Sequence, residues 1–138
     1  MDRGTRIYAV LLLAIVLVLV MVSVYQPAEV RALNQLLEND AEVSAYPYPF
    51  RVLRVEQGMA VMGTPRSASM PVARMIAAVA PEAAGLLETD PVYLRAQQRL
   101  ADTQARARSL VLGDAAIERV RWELDEAWLR GHGVVTVN

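Results

Sequence analysis

The chain has 138 residues, 54% of them hydrophobic, with 14 basic residues against 15 acidic ones and no cysteine. The near-neutral balance excludes the one-sided basic surface that nucleic acid or anionic lipid requires. The missing cysteines exclude disulfides, thiol catalysis, cysteine metal sites and C-x-x-C-H haem attachment.

Residues 1–6 read MDRGTR and are followed over 7–25 by IYAVLLLAIVLVLVMVSVY, which carries no charge, Gly or Pro. At the helical rise this run is about 28 Å long, close to the roughly 30 Å of a bilayer's hydrocarbon core. Thirteen of its residues are Leu, Ile or Val, each favouring insertion by roughly 0.3–0.6 kcal/mol near mid-membrane. The run therefore predicts a membrane-spanning helix, with Ile7, Leu13, Leu17 and Val20 facing lipid and Tyr8 and Tyr25 at its two headgroup levels. Arg3 and Arg6 precede it and Gln26, Pro27 and Glu29 follow, so the positive-inside rule keeps residues 1–6 in the cytoplasm and exports residues 26–138. The rival is a cleaved secretory signal, but the apolar run exceeds the usual length of about 7–15 residues, and Tyr25-Gln26 is a poor cleavage site. All basic residues are Arg and none is Lys, which suggests base-composition bias in a bacterial genome. The expected location is then the bacterial inner membrane, with the C-terminal domain periplasmic.

Removing 25 residues leaves about 113, enough for one domain with a modest core. Pro27 interrupts the first helix, and Val30, Leu33 and Leu37 predict a short amphipathic helix over 28–38. Tyr46-Pro47-Tyr48-Pro49-Phe50 forces extended backbone. It reads as a stiff connector with its rings tucked onto the domain, or as an aromatic patch for a partner. Residues 26–50 are thus an amphipathic helix and connector, and 51–138 the domain proper.

Residues 51–56 and 59–64 flank Gln57-Gly58 and predict a β-hairpin, with Leu53 and Val55 opposite Met62 and Ala60. Ser69 is a candidate cap for a helix carrying Val72, Met75, Ile76 and Val79, ended by Pro81. Asp90-Pro91 opens the longest exported helix, closed by Gly113, with Tyr93, Ala96, Leu100, Thr103, Ala107 and Leu110 as its buried stripe. Arg95, Arg99, Asp102 and Arg106 take its opposite face, with Asp102–Arg106 as an i, i+4 pair.

A last helix is predicted from its cap Asp114 to Arg130, burying Ile117, Val120, Leu124 and Trp128, with Arg121–Asp125 and Glu126–Arg130 paired at i, i+4. Its second face carries Trp122 and Leu129. The β-branched Val134-Val135-Thr136-Val137 then supplies a third strand. The expected fold is mostly α: one N-terminal transmembrane helix and a small exported α+β domain of three or four helices with a hairpin.

No catalytic constellation, cofactor motif or metal-ligand spacing emerges. His132 is the lone histidine, and Ser67 and Ser69 beside Arg66 lack the G-x-S-x-G or S-x-x-K setting. The chain therefore reads as a non-catalytic accessory, scaffolding or assembly subunit of a larger membrane complex, with the bilayer and other subunits as partners and neither nucleic acid nor metal. Trp122, Leu129, Arg95, Arg99, Arg106, Tyr46 and Tyr48 are the candidate partner surface. The alternatives are an anchored hydrolase using Ser67 or Ser69 with His132, and an extracytoplasmic ligand-binding domain.

Overall fold

The apolar N-terminus forms α1 (Arg3–Val24), and its Arg3–Val22 stretch has a mean hydropathy of 2.7 with none of it buried. The structure is a computed structural model that describes residues 2–24, 27–68 and 70–134. Ile7, Tyr8, Leu13, Leu17 and Val20 are all more than half exposed; Tyr25 lies outside the described residues. The helix is long and apolar enough to span a membrane or to act as a signal sequence.

Beyond it the described chain is a mixed α/β unit. Helix α2 (Ala28–Asn39) buries Val30, Leu33 and Leu37, the three positions its period selects. Asp40 ends it and at once caps α3 (Ala41–Ser44), its carboxylate accepting from the Glu42 and Val43 amides. This short helix replaces part of the expected connector, because an Asp at the N-cap satisfies amides that extended backbone would leave to water.

Strands β1 (Val52–Glu56) and β2 (Met59–Thr64) form the expected antiparallel hairpin. Gln57 and Gly58 both have positive φ, 48° and 76°, the requirement of a type I′ turn. Val55 lies opposite Ala60 as predicted, but an irregularity between Val52 and Arg54 displaces Leu53 from the ladder. Val52, not Leu53, therefore faces Met62 and enters the core.

Helix α4 (Val72–Val79) buries Met75, Ile76 and Val79 and leaves Val72 41% exposed. Ser69, its expected cap, lies outside the described residues. A single 3-10 turn at Pro81–Ala83 follows. Helix α5 (Pro91–Leu112) is capped by Asp90, which accepts from the Val92 amide at 2.8 Å. Its buried stripe matches expectation through Ala107 and then takes Val111, leaving Leu110 only partly covered. The stripe closes with a step of four because 3.6 residues per turn drifts ahead of alternate threes and fours.

The predicted helix over 114–130 does not form. In its place stand β3 (Arg119–Leu124) and a short α6 (Glu126–Gly131). Strand β3 pairs in parallel with β2, giving the order β1-β2-β3. The α4–α5 segment is the crossover that parallel pairing demands. The third strand is therefore 119–124; residues 135–138 lie outside the described set, and Val134 is buried with its amide donating to the Leu129 carbonyl at 2.9 Å. With β3 in place the Arg121–Asp125 helical pair disappears, and Glu126–Arg130 is not an ion pair among the described residues.

The outer edge of β1 is covered by α2. There the Asn34 side chain behaves like a short strand: its Oδ1 accepts from the Val52 amide at 2.7 Å and its Nδ2 donates to the Val52 carbonyl at 3.1 Å. Val52 is 2% exposed, so losing Asn34 orphans a buried peptide unit. Asn34→Ala is expected to lower the unfolding free energy by about 1–3 kcal/mol. Urea titration of the full chain in mild detergent, followed by circular dichroism, reads this; an unchanged midpoint would show that water replaces the amide.

Candidate interaction surface

The seven residues singled out in the sequence do not form one surface. Leu129 is 0% exposed, the residue through which α6 enters the core. Tyr46, Tyr48 and Phe50 are buried too, so the Tyr-Pro-Tyr-Pro-Phe stretch packs inward rather than facing a partner. Tyr46 stacks on Phe50 at 5.8 Å, and Tyr48 meets Phe50 and Trp128 edge-on at 4.9 and 5.1 Å. Burial drives the Tyr46 hydroxyl up to about 12, against the pull of the nearby Arg99 charge. The Arg99 guanidinium lies 5.3 Å from the Tyr46 ring centroid, a cation–π contact.

Arg106 is held in a fork: its Nε and Nη2 donate to the Asp40 carboxylate at 2.7–2.9 Å, and Glu42 adds a contact at 3.3 Å. It leaves Asp102, the partner expected at i, i+4, which instead accepts from Gln98 Nε2 at 2.8 Å. The Arg106 hydrogen bond, helped by the Val43 amide, lowers the Asp40 carboxyl from its ordinary 3.8 to about 2. Because the folded value lies below the unfolded one, the stabilisation is complete above about pH 4 and disappears as pH falls through about 2. Wild type is therefore expected to melt higher than Arg106→Gln at pH 5, with the gap closing by pH 2. A gap independent of pH in thermal melts would remove Asp40 as its cause.

Of the candidates, Arg95, Arg99, Arg106 and Trp122 remain outside the core, Arg99 lying against Tyr46 and Arg106 tied to Asp40. Arg95 is exposed on α5 with no acidic partner among the described residues. Trp122 is half-buried on β3, its ring 6.1 Å from Phe50 at a steep angle. One side of the indole borders a cleft of about 160 Å³ lined by Arg66, Ala101, Gln104, Ala105 and Arg108. Thr64 fixes this wall: its hydroxyl donates to Gln104 Oε1 at 3.0 Å and accepts from the Arg66 amide at 3.2 Å. Sequence reasoning missed Arg66, Gln104 and Arg108 here, because a helical Trp122 could not meet α5 in this way.

Of the residues named for a hydrolase, Ser69 lies outside the described set and His132 is engaged on its own helix. His132 Nδ1 is 2.8 Å from the Trp128 carbonyl, and its ring stacks on Trp128 at 3.9 Å. The cleft beside it is lined by Arg74, Ala77, Ala78, Gly133 and Val134, with neither serine nor carboxylate among them. Among the described residues no group of three His, Asp or Glu is placed to hold a metal ion. Comparisons with protein-family models, curated proteins and solved structures find no match.

Proposed function

We propose that the chain is a single-pass membrane protein that acts by binding other proteins, as an accessory, scaffolding or assembly subunit of a larger complex in the bacterial inner membrane. The observation that carries this reading is the Arg3–Val22 stretch of α1, which has a mean hydropathy of 2.7 and is 0% buried among the described residues. Apolar surface on that scale is unfavourable in water and favourable in lipid or against another protein. Arg3 and Arg6 on its leading flank orient the head away from the cytoplasm. The head offers the half-buried Trp122 between two arginines, Arg66 and Arg108; Trp and Arg are the side chains that anchor interfaces most often.

Extraction from native membranes in mild detergent, followed by native mass analysis, tests this. Other membrane proteins are expected to co-purify in fixed proportion. A lone monomer would overturn the binding role, and a mature chain beginning after residue 25 would overturn the anchor.

A further inference from the structure

We infer that β3 is the seam of a two-fold homodimer, in which the sheets of two copies join through antiparallel β3–β3 pairing. This goes beyond the reading above by naming the occupant of the Trp122 edge, a second copy of this chain, and leaves other subunits to α1 and the rest of the head.

The two edges of the sheet are treated differently. That of β1 lies under α2, with Asn34 bonding both polar groups of Val52. The other edge belongs to β3, which pairs with β2 and with no further strand among the described residues. The Arg119 and Asp125 amides donate to Gly58 and Thr64 on the β2 side. Backbone polar groups alternate along a strand, so Val120, Trp122 and Leu124 direct theirs to the open edge. An edge of six residues without Pro or Gly is a template for another strand.

The side chains specify which strand. The sequence Arg119-Val120-Arg121-Trp122-Glu123-Leu124 is complementary to itself when two copies run antiparallel about Trp122. Trp122 then faces Trp122 of the second copy, Val120 faces Leu124 twice, and Arg121 faces Glu123 twice. The residues whose backbones point outward fall at the hydrogen-bonded positions of this register, giving about six interchain bonds. Sliding the second copy by two residues sets Arg121 against Arg121, which like-charge repulsion disfavours. Within the chain Arg121 has no carboxylate partner among the described residues, and Glu123 uses only Oε2, on Arg54 Nη1 at 2.8 Å. Glu123 Oε1 is thus available to the second copy's arginine. The cleft of about 160 Å³ beside Trp122, walled by Ala101 and Ala105, gives the second indole room on the helix side. An isologous contact of this kind closes after two copies and does not propagate.

The chain has no cysteine, so Trp122→Cys in the full-length protein in detergent micelles reports the axis directly. Directly opposed residues at a hydrogen-bonded position have Cα atoms about 5.5 Å apart, within disulfide range. Mild oxidation is expected to yield a covalent dimer, while the remote control Leu87→Cys remains monomeric. On the same background, Arg121→Glu or Glu123→Arg each disrupts two cross-strand pairs and is expected to cut the yield roughly tenfold. The double reversal restores it. Native mass analysis of the charge variants without the cysteine covers the case in which Trp122→Cys unfolds the head: native and doubly reversed chains dimerise, and single reversals do not. A native chain that stays monomeric, one whose β3 edge is saturated by a different protein with no dimer, or a dimer indifferent to the single reversals would each overturn the inference.

Discussion

Asp125→Ala is expected to lower the unfolding free energy by about 3 kcal/mol, a larger loss than truncating Asn34 or Arg106 should cause. The carboxylate sits between β3 and α6 with its side chain 7% exposed. Its Oδ2 accepts from the Tyr48 hydroxyl at 3.0 Å and from Arg51 Nη2 at 3.3 Å, and its Oδ1 accepts from the Trp128 amide at 3.1 Å. The Arg51 contact adds little, because that guanidinium is half exposed. The other two matter. Without Asp125, α6 loses its cap at a cost of about 1 kcal/mol. The Tyr48 hydroxyl, on a residue 0% exposed, loses its acceptor at a further cost of about 1–3 kcal/mol.

Burial and the adjacent Asp125 charge both push the Tyr48 hydroxyl up from its ordinary range, so it stays protonated and donating through neutral pH. Two further substitutions locate the effect. Gly63→Ala places a Cβ 2.6 Å from the Tyr48 oxygen, so it should displace the same bond and lose about 1–3 kcal/mol. Tyr93→Phe is the opposite case: the Tyr93 hydroxyl is buried with no hydrogen-bond partner among the described residues, so removing it should leave stability unchanged or raise it. Urea midpoints of the three variants in mild detergent give the order. Equal losses for Tyr93→Phe and Asp125→Ala would refute the role assigned to the Tyr48–Asp125 bond.

Local signals carried much of this architecture. Asp90-Pro91 and Gly113 bracket α5, Gln57-Gly58 marks the hairpin, and Val30, Leu33 and Leu37 mark the buried face of α2. The failure over 114–130 has a specific cause. Ile117, Val120, Leu124 and Trp128 satisfy a helical period, while Val120, Trp122 and Leu124 alternate with Arg119, Arg121 and Glu123 at the strand period of two. Pairing with a strand some 60 positions earlier decides between them, as Met59 opposite Arg119 shows, and no window of neighbouring residues contains that partner. The same nonlocality hid the Tyr48–Asp125 bond, which joins residues 77 positions apart. It also dissolved the predicted surface, since Trp122 and Leu129 share a face only on a continuous helix. Asp125 was a usable signal: an Asp followed by Glu126-Ala127-Trp128 resembles a fresh N-terminus inside the supposed helix.

Leu13→Arg combined with Leu17→Arg is expected to abolish stable membrane association, the largest effect anywhere in the chain. Near the centre of a span each arginine costs about 2.5–3.5 kcal/mol, and each leucine lost removes a further 0.3–0.6 or so. Together the two changes oppose insertion by about 6–8 kcal/mol, comparable to the whole contribution of the Leu, Ile and Val residues in the run. Both side chains are more than half exposed in a stretch of α1 of which 0% is buried among the described residues, so the head should keep its fold and its melting temperature. Alkaline extraction of membranes separates the possibilities: the native chain should stay in the pellet and the double variant should leave it. An anchor that resists extraction despite both arginines would mean that α1 is held by protein rather than by lipid. A native chain already released, with an intact mass short by the first 25 or so residues, would make α1 a signal and leave the head to find its partners in solution.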